Sequence, residues 1–219
     1  MDWRSSLIEI AERTGSRHGL QASWPDVIDD WRRAYQPAMD RVRAGQPWRD
    51  LDSLQRETLA EVLGRRGVPL PAAGRDELVR GWRQLRPWPD SVPGLDRLQR
   101  QHVTATLSNG HLALLIDLLR FGGLRFDAVL SAQLAGGYKP DPAVYRTALA
   151  LLDCPPHDAA MVAAHGADLR AAAALGLAPV FIRRPLEWGG PESAAEQPPA
   201  LDGLLVADGL VDLAEALGC

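Results

Sequence analysis

Lysine is almost absent from this sequence. Of its 24 basic residues, 23 are arginine and one, Lys139, is lysine. A surface cation can drift to arginine, but a compact ammonium in a tight pocket cannot give way to a planar guanidinium without a geometric cost. Composition alone leaves two readings of Lys139 open, a leftover surface residue and a functional one. Long apolar runs are also missing. No stretch approaches the roughly 20 residues needed to span a bilayer, and the charged start Met1-Asp2-Trp3-Arg4 is not followed by the apolar segment of a secretory signal. Cysteine is scarce. Cys154 and Cys219 stand far apart with no metal-ligand spacing around either, so the expectation is a cytoplasmic protein with reduced thiols. No block of like charge occurs, and the net charge is −4. That argues against a nucleic-acid partner, just as the lack of a long apolar run argues against a membrane.

What is present falls into two halves. Residues 5–86 carry apolar residues at helical spacing and no β-alternation. The spacing predicts helices from Ser5 or Ser6 to about His18, from Asp26 to Val42, from Asp50 or Asp52 to Leu63, and from Arg75 to Leu85. Pro87-Trp88-Pro89 and Pro93-Gly94 then break the pattern. From residue 90 onward, short apolar strands alternate with helices. Strands are expected at 102–107, 126–130, 159–163, 180–183 and 204–207. Helices are expected near 111–121, 142–152 and 169–175, with a last one ending near Gly218. Residues 188–200 read as loop. Repeated strand–helix units imply an α/β fold with a parallel sheet covered on both faces.

In such sheets ligands bind beyond the C-terminal ends of the strands. That rule selects Ser108-Asn109-Gly110, the stretch from Gln133 to Asp141, and His165 to Asp168. Each has a bland reading. Ser108-Asn109-Gly110 can cap the next helix, Asp168 can be a helix-terminal carboxylate, and His165 can be a hydrogen-bonded turn residue. Tyr138-Lys139-Pro140-Asp141-Pro142 is more specific, because Pro140 restricts Lys139 to an extended backbone and Pro142 suits a helix start. Three polar clusters at three successive strand ends favour a site. In the helical half, Arg32 and Arg33 are adjacent, so only one of them can face a cleft. No CxxC, HExxH, GxSxG or P-loop motif is present.

The order Ser108-Asn109-Gly110, then Tyr138-Lys139-Pro140-Asp141-Pro142-Ala143-Val144-Tyr145, then Val162-Ala163-Ala164-His165 with Asp168-Leu169-Arg170 resembles the haloacid dehalogenase superfamily. The nearer resemblance is to its type II (S)-2-haloacid dehalogenases, and it extends through Arg183-Arg184-Pro185-Leu186-Glu187. It implies a Rossmann-like parallel core, residues 1–5 and 89–219, with an inserted helical cap over residues 6–88. It also implies hydrolysis of short 2-haloalkanoic acids to 2-hydroxy acids through an aspartyl ester. By matching position, Lys139 would pair with the attacking carboxylate, and Asp168 would orient Lys139 and water. Ser108 and Asn109 would bind the substrate carboxylate or halide. Arg32 would stabilise the halide, and Tyr145 would support the site.

Superfamily phosphatases place a second acid where Ala164 stands here. Its loss removes a hard oxygen ligand for Mg²⁺, so the resemblance favours chemistry without a metal or cofactor, with a phosphatase as the alternative. Ala167 stands where dehalogenases often carry an aromatic residue, and His165 replaces an amide, where it would line the substrate site and position water. The family's opening strand and nucleophilic aspartate have no counterpart in this sequence. Asp2 matches a position beyond them. The expectation is an inactive polypeptide that folds poorly alone, since a missing central strand strands buried backbone groups at about 1–3 kcal/mol each against a total stability of about 5–15 kcal/mol. A non-catalytic truncated relative is a further alternative. A homodimer is compatible with the resemblance.

Overall fold

The apolar spacing of the first half is realised as four helices: α1 (Trp3–Arg17), α2 (Trp24–Arg43), α3 (Leu51–Arg65) and α4 (Ala72–Gly81). In the computed structural model, which describes residues 1–190 and 195–219, contacts divide the chain into two units. One comprises Met1–Arg86 and Ala113–Gly122, the other Pro87–Leu112 and Gly123–Cys219.

In the first unit, α1 buries Leu7, Ile10, Ala11 and Thr14 on one face. Asp2, not Ser5 or Ser6, caps it, accepting the Ser5 N–H at 3.2 Å. Ser6 is turned to another task. Its hydroxyl donates to the Asp2 carbonyl and accepts the Arg86 N–H, tying the two ends of this segment together. Helix α2 begins at Trp24, ahead of the expected Asp26, because Pro25 fits the first turn, where its missing N–H has no helical partner to lose. Asp50 caps α3, as one of the two expected alternatives. Helix α4 starts three residues before Arg75 and ends at Gly81, and 3₁₀-like hydrogen bonds carry the chain on from Trp82 to Gln84.

An aromatic cluster joins these helices. The Trp82 ring stacks on Trp3 and meets Trp31 and Tyr35 edge-on. The fully buried Trp31 donates its indole N–H to the Gln55 carbonyl on α3 at 2.9 Å. Each large buried apolar side chain contributes about 2 kcal/mol. Helix α6 (Leu112–Gly122) groups mainly with this unit, and Arg83 bonds both Asp117 on α6 and Asp52 on α3.

The second unit holds α5 (Ser91–Leu98), β1 (Ala105–Ser108), β2 (Ala128–Ser131), α7 (Pro142–Leu151), β3 (Ala160–Ala163), α8 (Gly166–Ala173), β4 (Ala178–Ile182), β5 (Leu205–Ala207) and α9 (Leu210–Ala216). Helix α5 corrects the sequence reading, which took Pro93-Gly94 as a break. Pro93 sits in the first turn, where a proline is tolerated, and Gly94 lies so close to the Leu210 backbone that a Cβ there would collide.

The strands are shorter than expected at 102–107 and 126–130. The Thr104 N–H and hydroxyl go to the Asp127 carboxylate, its carbonyl accepts the Asp127 and Ala128 N–H groups, and Val103 is 79% exposed. Helix α8 starts at Gly166, three residues earlier than Leu169, which puts Asp168 in its first turn. Within the loop expected over 188–200, residues 191–194 lie outside the described residues.

The expected single sheet is two parallel sheets among the described residues, β1-β2 and β3-β4-β5. Strand β4 is buried on both faces. Val180 and Ile182 pack with Leu98, Leu213 and Ala214 of α5 and α9, while Phe181 packs with Tyr145, Leu169 and Ala172 of α7 and α8. Alternation along a strand sends successive side chains to opposite layers. Leu107 of β1 packs partly buried against the α7–α8 cluster that also contains Met161 of β3. Strands β1 and β3 therefore share one apolar layer, yet among the described residues each keeps an edge without a ladder partner. No helix among the described residues is long and apolar enough to cross a membrane.

Asp90 fastens the second unit. It takes two hydrogen bonds from Arg184, at 3.0 and 2.8 Å, and one from the Leu210 N–H that opens α9, at 2.7 Å. Burial pushes its carboxyl upward. The Arg184 and Leu210 donors outweigh this and hold it below the ordinary carboxylate range. A depressed folded-state value stabilises the fold above about pH 4 and loses that contribution as pH falls further. Asp90→Ala should cost about 2 kcal/mol at neutral pH. It should also weaken the acid dependence of stability below about pH 4, measurable by urea denaturation across pH.

Candidate active site

Each strand of the second unit ends in a polar segment, and hydrogen bonds tie three of these segments together. After β1, Ser108 Oγ accepts the Gly110 N–H at 3.1 Å. Ser108 does not cap α6, the bland reading of this turn; the first α6 N–H, that of Leu112, goes to Gln133 Oε1 at 2.9 Å. Gln133 follows β2 in a short 3₁₀ turn (Ala132–Ala135) whose N-cap is Ser131. The Ser131 hydroxyl donates to the Gly110 carbonyl at 2.6 Å, fixing the Ser108–Gly110 turn from the neighbouring strand.

Asn109 then reaches the next segment. Its Oδ1 accepts the Lys139 N–H at 2.7 Å, so its amide NH₂ is the end left to donate elsewhere. The Lys139–Pro140 peptide is cis. Lys139 Nζ lies 2.5 Å from Asp168 Oδ2, with the two side chains only 15% and 13% exposed. The other oxygen of Asp168 accepts the Tyr145 hydroxyl at 2.5 Å. Burial, then the charge of Asp168, then this hydrogen bond push the Tyr145 phenol far above its ordinary value, so it stays a protonated donor. Asp168 thus bridges an ammonium and a phenol from the first turn of α8, where a helix dipole favours negative charge.

His165 is the residue before α8. Its Nε2 lies 3.1 Å from Glu187 Oε1 in the segment after β4. The Glu187 side chain is buried and the His165 ring is half-exposed. Glu196 Oε1 accepts the adjacent Gly166 N–H at 2.5 Å.

Ser108, Asn109, Lys139, Tyr145, Asp168 and His165 all belong to the second unit, and the bonds through Asn109, Lys139 and Asp168 connect the ends of β1 and β3. Arg32 belongs to the first unit. Its guanidinium lies over the Tyr35 ring, 4.6 Å from the centroid, and over Trp3 at 5.4 Å. Arg33 is exposed and faces Asp30 instead. Of the two arginines, Arg32 is therefore the one turned inward to the aromatic cluster, at a gain of about 1 kcal/mol.

Glu187 and Ser131 escaped the sequence reading as site residues, whereas Gln133 opens the stretch that it selected after the second strand. A polar residue closing an apolar strand was the available signal for Ser131, while nothing local marks Glu187 as a partner of a residue 22 positions away. Among the described residues no group of three His, Cys, Asp or Glu side chains stands close enough to hold a metal ion.

Polar groups converging at the C-terminal ends of parallel strands define the class, an α/β enzyme with a lysine–carboxylate centre. Residues 8–176 match the family of haloacid dehalogenase-like hydrolases, and the chain belongs to that family. It is 32% identical to (S)-2-haloacid dehalogenase 1 of Pseudomonas sp. (strain CBS-3) over 171 residues, 76% of this chain and 75% of that protein. It is also 32% identical to (S)-2-haloacid dehalogenase 4A of Burkholderia cepacia over 113 residues, 50% of this chain and 49% of that one. Among solved structures, the L-2-haloacid dehalogenase PA0810 is 45% identical with a TM-score of 0.88, covering 99% of this chain and 94% of that one. The defluorinating L-2-haloacid dehalogenase Rha0230 is 35% identical with a TM-score of 0.94, covering 100% and 91%. The expected α/β architecture with parallel strands is the one these structures share.

Tyr145→Phe should leave one Asp168 oxygen without its donor and cost about 1–3 kcal/mol. Chemical denaturation checks this, and an unchanged midpoint would mean that water replaces the phenol without loss.

Proposed function

We propose that the chain is a hydrolase acting on carbon–halide bonds, converting short (S)-2-haloalkanoic acids to 2-hydroxy acids through an aspartyl ester. The observation that carries this reading is the Lys139 ammonium, set between the ends of β1 and β3 by Asn109 and Asp168, in a chain related to (S)-2-haloacid dehalogenases. A carboxylate attacks C2 and the halide leaves with the bonding electrons. Water then attacks the ester carbonyl and frees the 2-hydroxy acid. Both half-reactions need a cation beside the carboxylate, to keep it ionised and then to polarise the ester.

Lys139 supplies that charge and Asp168 aims it, with Tyr145 holding Asp168. The Asn109 amide and the Ser108 hydroxyl bind the substrate carboxylate, since their acceptor oxygens are already engaged by the Lys139 and Gly110 N–H groups. Arg32 takes the halide-stabilising role. Residues 6–88 act as the cap, residues 1–5 and 89–219 as the core. The same reading makes the enzyme a cytoplasmic homodimer.

Asp168 is not the attacking group, because Lys139 and Tyr145 occupy both of its oxygens. The attacker in this reading is an aspartate on a further strand that pairs with the open edges of β1 and β3 and ends beside Lys139. Halide release from (S)-2-chloropropionate, followed by ion chromatography, tests it. The 219-residue chain alone should release none, and a fusion supplying a strand that ends in aspartate should release halide. Lys139→Ala in that fusion should lower the rate at least about 100-fold. A fusion that folds and yet frees no halide from any short 2-haloacid would overturn the assignment.

A further inference from the structure

We propose that Glu196 is a positioning residue of the lysine–carboxylate centre: it caps α8 from a remote segment and so leaves Asp168 to hold Lys139. Its effect on turnover rests on the dehalogenase reading above, whereas its effect on the Lys139–Asp168 pair does not.

Helix α8 is not capped by its own N-cap residue, since His165 makes no side-chain bond to the helix end. Asp168, at the third helical position, is the local acid that would ordinarily turn back to the start of its own helix. Both of its oxygens are engaged elsewhere, one by the Lys139 ammonium and one by the Tyr145 hydroxyl, at 2.5 Å each. The opening N–H groups and the helix dipole still call for a negatively charged acceptor.

Glu196 supplies that acceptor from 30 positions away. Its Oε1 takes the Gly166 N–H, the first of α8, at 2.5 Å. The segment over residues 195–200 is seated for this task. Pro199 is buried, and Leu201 just beyond it packs on the cluster that contains Leu169 and Ala172 of α8. Gly166 admits the close approach. Its backbone is not left-handed, so the reason for a glycine here is space. A Cβ would crowd Glu196 Oε1 at 3.2 Å, Pro199 at 3.3 Å and Arg170 Nη1 at 3.4 Å. The Arg170 guanidinium thus brings positive charge to the spot where the Glu196 carboxylate sits.

The consequence is a competition for one carboxylate. Two tasks are open to Asp168, capping its own helix and holding Lys139 with Tyr145. With Glu196 in place the first task is filled, and Asp168 stays on the ammonium. Without Glu196, uncapped N–H groups at the start of the same helical turn draw Asp168 away. Glu196 therefore acts through Asp168 and not on the reacting atoms.

Lys139 is the only lysine of the chain, so labelling the 219-residue chain with ¹⁵N-lysine gives a single side-chain ammonium signal in NMR spectra. An ammonium held by a carboxylate exchanges its protons with water slowly enough to be seen. The signal should be present in the parent and in Glu196→Gln, whose amide oxygen still accepts the Gly166 N–H. It should be lost in Glu196→Ala. Glu196 is exposed, so neither change removes a core contact. A signal that survives in Glu196→Ala, that disappears equally from both variants, or that is absent from the parent overturns the positioning role. In the halide-releasing fusion, Glu196→Ala should lower kcat at least about fivefold, the weight of one lost helix cap. KM should stay near the parent value, because Ser108 and Asn109 stand at another strand end, and Glu196→Gln should restore kcat. A parent-like kcat in Glu196→Ala, or a change in KM alone, overturns the role in turnover. A parent fusion that frees no halide, in a chain whose Lys139 signal follows the cap, overturns the dehalogenase reading and leaves the positioning of Asp168 standing.

Discussion

A lysine ammonium held away from bulk water needs a counter-charge in the right place, and much of the second unit is organised around that requirement. Lys139 reaches its partner, Asp168, only because its backbone is tied to Asn109 at the end of β1 and because α8 begins early enough to carry Asp168 in its first turn. Asp168 in turn keeps its position through the Tyr145 hydroxyl from α7. Removing one partner from such a pair leaves a partly buried charge uncompensated, which costs more than the pair itself contributes. Lys139 is the one lysine in the chain, and its presence at this position acquires a physical sense here. A planar arginine fork would not reproduce the compact ammonium at this position without a geometric cost.

The same economy of contacts runs through the supporting shell. Ser131 and Gln133, from the end of β2, shape the Ser108–Gly110 turn and satisfy the opening N–H of α6. Asp90 serves two elements at once, accepting from Arg184 and from the first N–H of α9. Arg184 then anchors the turn that presents Glu187 to His165. In the first unit an aromatic cluster plays the comparable part, with Trp3 and Tyr35 holding the Arg32 guanidinium by their ring faces. In both units a charged side chain is aimed by neighbours drawn from distant parts of the sequence.

The two sheets carry the other main lesson. Leu107 of β1 and Met161 of β3 meet in one apolar layer, although their strands do not pair with each other. Apolar burial is non-directional and can join elements across an unfilled backbone edge, whereas the ladder demands a strand at the right distance. Open edges beside a charged centre are a template for another strand.

Much of the architecture was legible in the sequence. The switch from helical to strand–helix periodicity near residue 87, the polar segments after β1, β2 and β3, and the singular Lys139 all follow from residue type and spacing. They sufficed to select Ser108, Asn109, Lys139 and Asp168 as neighbours. Local pattern failed where a tertiary contact overrode it. Pro93-Gly94 forms part of a helix because α9 packs against it, Thr104 leaves the strand for Asp127, and Asp2 displaces Ser5 and Ser6 as a cap. By itself the sequence determined which residue types stand at the strand ends, since strand periodicity and the open-sheet rule depend only on order along the chain. Tertiary structure alone decided their pairings: Lys139 with Asp168 and Tyr145, Asn109 turned to the Lys139 backbone, and His165 set against Glu187. Hydrogen bonds and ion pairs act over a few ångströms, and only folding brings residues 22 to 30 positions apart within that reach.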